Sequence, residues 1–157
     1  MIKVYDNFLP EFYFKQLQSI VLGNEYCWYY QDRIDIRYKT DLHYFIHFYY
    51  KDNAPTTSYP QIDPCIPFFH MKKIYRIKVN LYSKTVFHRN TGWHTDYKDI
   101  TTSILYMNTN NGWTEFKNGD KVKSVENRLV IFDSNLEHAG ITCTDEKRRV
   151  VINFNYV

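Results

Sequence analysis

The sequence is poor in the residues that staple or punctuate a chain: it has three cysteines, five glycines and five prolines among 157 residues. Cys27, Cys65 and Cys143 stand far apart and no Cys-x-x-Cys occurs. That excludes a disulfide framework and a thiolate zinc site, and it suits a reducing compartment. So little glycine and proline excludes collagen-like and linker-like chains. No apolar run approaches eighteen residues, so no membrane-spanning helix is expected. The opening Met-Ile-Lys-Val-Tyr-Asp lacks the apolar stretch of a secretory signal. Neither sign of charge dominates: 20 Lys+Arg against 17 Asp+Glu leave +3, milder than the concentrated positive charge of nucleic-acid binders. Internal repeats and Gly/Ser linkers are missing too, so residues 1–157 are expected to form one domain.

Aromatic residues are abundant. They make up 18% of the chain, with fifteen tyrosines, which excludes disorder for its bulk and favours strands. Residues 2–8 read as a short strand. Leu9-Pro10-Glu11 then opens a helix, with proline where its missing N–H costs nothing. Phe12, Leu17, Ile20 and Val21 carry that helix to Leu22, and Gly23-Asn24 stops it. Aromatic-rich strands follow at 27–30 and 43–50. The segment 54–67 holds four prolines and reads as an irregular crossing. Residues 74–82 alternate, with Arg76, Lys78, Asn80 and Tyr82 on one face and Ile77, Val79 and Leu81 on the other. Further strands are expected at 101–107, 128–132 and 149–157. Asn118-Gly119-Asp120 turns a hairpin between 114–117 and 121–125. One helix followed by many short strands predicts a mainly β sandwich or barrel.

His94-Thr95-Asp96 is the first chemical signal. In an extended segment, residues two apart project to the same side, so an imidazole and a carboxylate converge there. His138 follows a short strand and is expected in a turn, Glu137-His138-Ala139-Gly140. Two histidines and one carboxylate on one side of a metal form the facial triad of non-haem iron oxygenases, which leaves positions open for reactants. The last strand adds a polar face, Arg149, Asn153 and Asn155, on an otherwise apolar segment. That suggests a polar cavity, and a guanidinium can hold a carboxylate through two parallel hydrogen bonds. An outward-facing Arg149 is the competing reading. His43 and His47, four apart, read as structural on an aromatic strand, and His70 and His88 have no partner at ligand spacing.

These residues resemble the 2-oxoglutarate/Fe(II)-dependent dioxygenases, in the prolyl 4-hydroxylase-like branch. The matching run is Gly92-Trp93-His94-Thr95-Asp96, Ile104-Leu105-Tyr106-Met107-Asn108, Gly112-Trp113-Thr114-Glu115-Phe116, Asn127-Arg128-Leu129-Val130-Ile131-Phe132-Asp133, His138-Ala139-Gly140, and Arg148-Arg149 leading into Asn153-Phe154. It covers roughly residues 74–157, and Asp6-Asn7-Phe8-Leu9-Pro10-Glu11 also looks like that branch's opening. The resemblance implies a double-stranded β-helix (a cupin-like jelly roll) with the N-terminal helix packed outside. Residues 1–73 would then be supporting elements and 74–157 the catalytic core.

It further implies that His94, Asp96 and His138 hold Fe(II) and that Arg149 binds the distal carboxylate of 2-oxoglutarate, with Arg148 as the runner-up. Tyr82 and Tyr106 would hydrogen-bond the cosubstrate, and Asn80 and Asn153 would line the pocket. Dioxygen is the oxidant and ascorbate a supporting reductant. The implied reaction hydroxylates an unactivated C–H bond and releases succinate and CO₂. The resemblance favours an amino acid, peptide or protein side chain as primary substrate, without naming it. The compact form resembles versions carried by bacteria and their phages, which implies a cytoplasmic setting. Trp113 departs from the family's usual Gly-Gly pair and either packs or reshapes the substrate mouth. A nucleic-acid dealkylase of the AlkB type would carry a second arginine where Asn155 stands. A non-catalytic module binding glycan or single-stranded nucleic acid would be expected to have lost one of the four key residues.

Overall fold

The computed structural model describes residues 1–32 and 42–157. The chain runs through β1 (Lys3–Tyr5), α1 (Glu11–Val21), β2 (Tyr29–Gln31), β3 (Tyr44–Lys51) and β4 (Ala54–Pro55), then two 3-10 helices at Tyr59–Gln61 and Asp63–Phe69. It continues through β5 (Ile74–Ser83), β6 (Thr101–Tyr106), β7 (Trp113–Phe116), β8 (Lys121–Lys123), β9 (Leu129–Asp133), β10 (His138–Ile141) and β11 (Arg148–Tyr156). The larger sheet has the order β1-β9-β6-β11-β5-β3-β2, with β4 paired to β3, and the smaller has the order β10-β7-β8. All described pairings are antiparallel.

The larger sheet buries both faces. Its outer face carries Ile77, Val79, Leu81, Val150, Ile152 and Phe154, which pack with Phe14, Leu17 and Val21 of α1 and with Cys65 and Phe69 of the second 3-10 helix. Its inner face meets the smaller sheet, where Ile104, Tyr106, Val130, Phe132 and Val151 pack against Phe116 and Val122. The helix therefore lies outside the sandwich, as expected.

Phe12 does not join the core; it is 67% exposed. At ~100° per residue, the positions 14, 17 and 21 share a stripe and position 12 falls nearly opposite it. Pro10 is the N-cap of α1, and its carbonyl accepts the Phe14 N–H at 3.1 Å. The N-terminal strand is shorter than read, Lys3–Tyr5, and pairs with β9. Asn127 fastens the chain after it. The Asn127 side chain accepts from the Leu9 N–H at 3.0 Å and donates to the Leu9 carbonyl at 2.8 Å. The hairpin at Asn118-Gly119-Asp120 forms as read, with Gly119 at φ +95°, where a side chain would strain the backbone. No helix among the described residues is long and apolar enough to cross a membrane.

Candidate active site

Strands β5 and β11 pair in a register that sets Arg149 beside Tyr82, Val151 beside Asn80, Asn153 beside Lys78 and Asn155 beside Arg76. Alternation then points that whole row inward, to the gap between the two sheets. The gap is a cavity of about 240 Å³, lined by this row except Asn155, together with His94, Asp96, Ile104, Thr114, His138 and Gly140 among others.

His94, Asp96 and His138 meet at one end of it, with ligand atoms within 4.8 Å of one another. The two histidines come together through the backbone. Each N–H donates to the other's carbonyl at 3.0 Å, and the rings lie 4.5 Å apart. His138 therefore lies on a strand, β10, rather than in the expected turn. Residues 138–141 pair with β7, and Gly140 serves close packing instead of a reversal. A Cβ there would lie 3.2 Å from the Thr91 hydroxyl and 3.3 Å from Arg149.

Both imidazoles are oriented in the same way. The Nδ1 of His94 lies 3.0 Å from the Gly92 carbonyl, and that of His138 lies 3.0 Å from the Leu136 carbonyl. A carbonyl only accepts, so each Nδ1 carries the proton and each Nε2 keeps its lone pair. The His138 Nε2 is buried without a hydrogen-bond partner, a costly state for a polar atom unless a ligand satisfies it. Burial, with the neighbouring His94, pushes the His138 pKa down to about 4, so the ring is neutral at pH 7.

Asp96 is the most heavily supported group. Arg76 donates to its Oδ1 at 2.7 Å, and Thr102 and Asn155 donate to its Oδ2 at 3.2 and 3.1 Å. Burial pushes its pKa up, but Arg76, the two histidines and Asn155 outweigh that and hold it below the usual carboxylate range. Two neutral nitrogens and one ionised oxygen are the donor set that suits a divalent ion such as ferrous iron. The orphaned His138 nitrogen and the anchored carboxylate fit that ion.

Arg149 lies at the opposite end of the row. It is 2% exposed, so the outward reading is corrected. Its Nε donates to Ser124 at 2.9 Å and its Nη2 to Thr114 at 3.1 Å. Its guanidinium carbon lies 5.7 Å from the Tyr82 ring centre and 5.6 Å from that of Tyr106. Among the described residues no carboxylate pairs with it. Such a buried, uncompensated cation is costly and fits an incoming anion. Gly112 clears its path, since a Cβ there would fall 2.9 Å from the arginine's own Cδ. Arg148 faces away and donates to the Leu22 carbonyl, which leaves Arg149 as the one of the two neighbouring arginines that faces the cavity.

The tyrosines divide. Tyr82 lines the cavity and stacks on Tyr44 with ring centres 5.7 Å apart. Tyr106 is wholly buried behind the cavity wall, and its hydroxyl donates to Thr114 at 2.7 Å. Burial raises both phenols, so each remains an O–H donor at neutral pH. Asn80 and Asn153 line the cavity, and the Asn80 amide donates to Asn153 at 3.3 Å. Trp113 packs against His88, with ring centres 4.8 Å apart. His47 is a core residue whose Nδ1 lies 2.8 Å from the Cys27 carbonyl, and His43 stacks on Tyr30. Sequence reasoning missed the supports: Arg76, Thr102 and Asn155 around Asp96, and Ser124 and Thr114 around Arg149. Arg76 and Asn155 were on the marked polar faces. Thr114 lay inside the quoted motif Gly112-Trp113-Thr114-Glu115-Phe116 without a role assigned to it, and nothing in the sequence distinguished Ser124 from surface residues.

No protein-family model and no curated protein matches the chain by sequence. Solved structures match it by shape. A prolyl hydroxylase from Trichoplax adhaerens, solved with a hypoxia inducible factor oxygen degradation domain peptide fragment, aligns at TM-score 0.68 and 14% identity, over 99% of this chain and 82% of that one. A prolyl-4-hydroxylase from Pseudomonas putida aligns at TM-score 0.65 and 12% identity, over 99% and 91%. The chain has the fold of the 2-oxoglutarate/Fe(II) oxygenases. A 2OG-Fe(II) oxygenase family oxidoreductase from Burkholderia pseudomallei aligns at TM-score 0.69 and 10% identity, over 99% and 84%. The oxygenase fold is thus the jelly roll anticipated from the motif order, and it spans almost the whole chain, including the N-terminal strand and helix.

Proposed function

We propose that this protein is an Fe(II)- and 2-oxoglutarate-dependent dioxygenase that hydroxylates an unactivated C–H bond of an amino acid, peptide or protein side chain. One observation carries the reading. A His-Asp-His cluster with an orphaned imidazole nitrogen shares a cavity with a buried arginine that has no carboxylate partner among the described residues. When bound, ferrous iron would activate O₂, the oxidant, with 2-oxoglutarate giving up two electrons as it leaves as succinate and CO₂, the substrate C–H bond supplying the other two, and ascorbate keeping the metal reduced.

The chain's residues do the rest. His94, Asp96 and His138 hold the ion. The carbonyls of Gly92 and Leu136 keep each imidazole turned so that its Nε2 faces inward, and Arg76, Thr102 and Asn155 keep the carboxylate ionised and aimed. Arg149, set by Ser124 and Thr114, receives the distal carboxylate of the cosubstrate. Tyr82 offers a hydroxyl to it from the cavity wall. Tyr106 acts one layer back, fixing Thr114 and with it the guanidinium. The apolar residues Ile104 and Val151 limit water beside the reacting groups. The neighbouring folds' prolyl hydroxylases favour a peptidyl or amino-acid substrate.

The test supplies Fe(II), ascorbate, O₂ and 2-oxoglutarate and follows succinate. Wild-type protein is expected to form succinate and to bind 2-oxoglutarate only with metal present, and His138→Ala to lose both while keeping its melting transition. Metal-independent behaviour, or an unchanged His138→Ala protein, would overturn the reading.

A further inference from the structure

The cavity holds more positive charge than the proposed ion and cosubstrate need. Its lining includes three cationic side chains, Arg76, Lys78 and Arg149, against one carboxylate, Asp96. Arg76 is paired with Asp96 at 2.7 Å. A divalent cation and a dianionic cosubstrate balance each other, with Arg149 taking one end of that cosubstrate. Lys78 is left over. It stands mid-row on β5, between the metal end and the arginine end, opposite Asn153 on β11. Among the described residues its ammonium makes no hydrogen bond or ion pair, and it lies over the ring face of Tyr44, 5.8 Å from the ring centre. The side chain is half-buried, and desolvation, helped by Arg76 and opposed by Asp96, pushes its pKa down to about 8. An ammonium so placed is destabilised until an anion joins it.

We infer that Lys78 is a specificity-determining residue that receives a carboxylate of the primary substrate. The inference rests on the oxygenase reading and narrows its substrate class. A cavity of about 240 Å³ that is partly open to solvent admits a carboxylate carried by a free amino acid, a chain terminus or a single acidic side chain. An ammonium is a point charge that accepts any of these geometries, while the Asn80 and Asn153 amides beside it add donors.

The experiment uses the whole protein loaded with Mn(II) and saturated with 2-oxoglutarate. Free amino acids and short peptides, each paired with its carboxamide, are titrated calorimetrically. The same pairs are scored for stimulation of succinate formation by the Fe(II) form. A charged hydrogen bond contributes enough that some carboxylates should bind about 10- to 100-fold tighter than their amides. Lys78→Met should erase that preference, Lys78→Arg should keep it, and both should retain wild-type 2-oxoglutarate affinity. The inference is overturned if amides bind as well as acids, or if no acid binds a protein that does bind 2-oxoglutarate. It is also overturned if Lys78→Met loses 2-oxoglutarate instead, which would make Lys78 a cosubstrate anchor. A wild-type protein that binds no 2-oxoglutarate at all sinks the oxygenase reading itself, and the inference with it.

Discussion

On the outer face of β5 and β11, Ile77, Val79, Ile152 and Phe154 are fully buried against the helix and the 3-10 segment. On the inner face of the same strands, one residue out of step, Asn80, Arg149, Asn153 and Asn155 are buried almost as deeply. Burial alone therefore does not tell the two faces apart; the fate of the polar atoms does. The outer face gains by removing hydrocarbon from water. The inner face spends stability on the buried charge of Arg149, held in place by side-chain hydrogen bonds, and on the half-buried Lys78, with no ion pair at either among the described residues. One face keeps the sheet folded and the other prepares it to bind.

Truncation on each face should separate these roles. Ile152→Ala removes core hydrocarbon and leaves a cavity, so a loss of about 2–5 kcal/mol in unfolding free energy is expected. Denaturant melts would show it, with 2-oxoglutarate affinity unchanged at low temperature. Arg149→Met should do the reverse. Losing charged hydrogen bonds to the cosubstrate raises its Kd by about 10- to 100-fold, while the metal-free protein melts at the same temperature or higher. If both variants fail in both measurements, the two faces are not separable. The smallest effect is in pH. His138 has its folded pKa lowered from 6.5 to about 4, so the unfolded chain binds more protons between those values. Its contribution to metal-free stability is complete above pH 6.5 and is lost as pH falls toward 4. His138→Gln should flatten the melting-temperature profile in that window and leave the steeper acid limb below it, where carboxylates titrate.

The alternation of residues 74–82 and 149–157 was plain in the sequence because one face was apolar and the other was not, and it located the sheet's centre. His94-x-Asp96 was legible for the same reason: two neighbours on one extended segment need no tertiary information. His138 was legible as a member of the His-Asp-His cluster through the motif order but not as a strand residue, since Ala139-Gly140 looks like a turn until Thr91 and Arg149 are seen to occupy the space a side chain would take. Parity along the strand put Arg149 and Arg148 on opposite faces, and in the structure Arg149 faces the cavity while Arg148 reaches Leu22. Phe12 misled because hydrophobicity was counted without phase. The roles of Thr114, which a matching motif contained, and of Ser124, which none did, were not legible because both depend on a partner on β11, dozens of residues away.

The triad also bridges layers. His138 belongs to the smaller sheet, while the carboxylate of Asp96 is tethered by side chains from β5, β6 and β11 of the larger one. An ion seated there acts as a rivet through both leaves of the sandwich. Chelation would free that rim to gape, so resistance to proteases should track metal occupancy even when no turnover takes place.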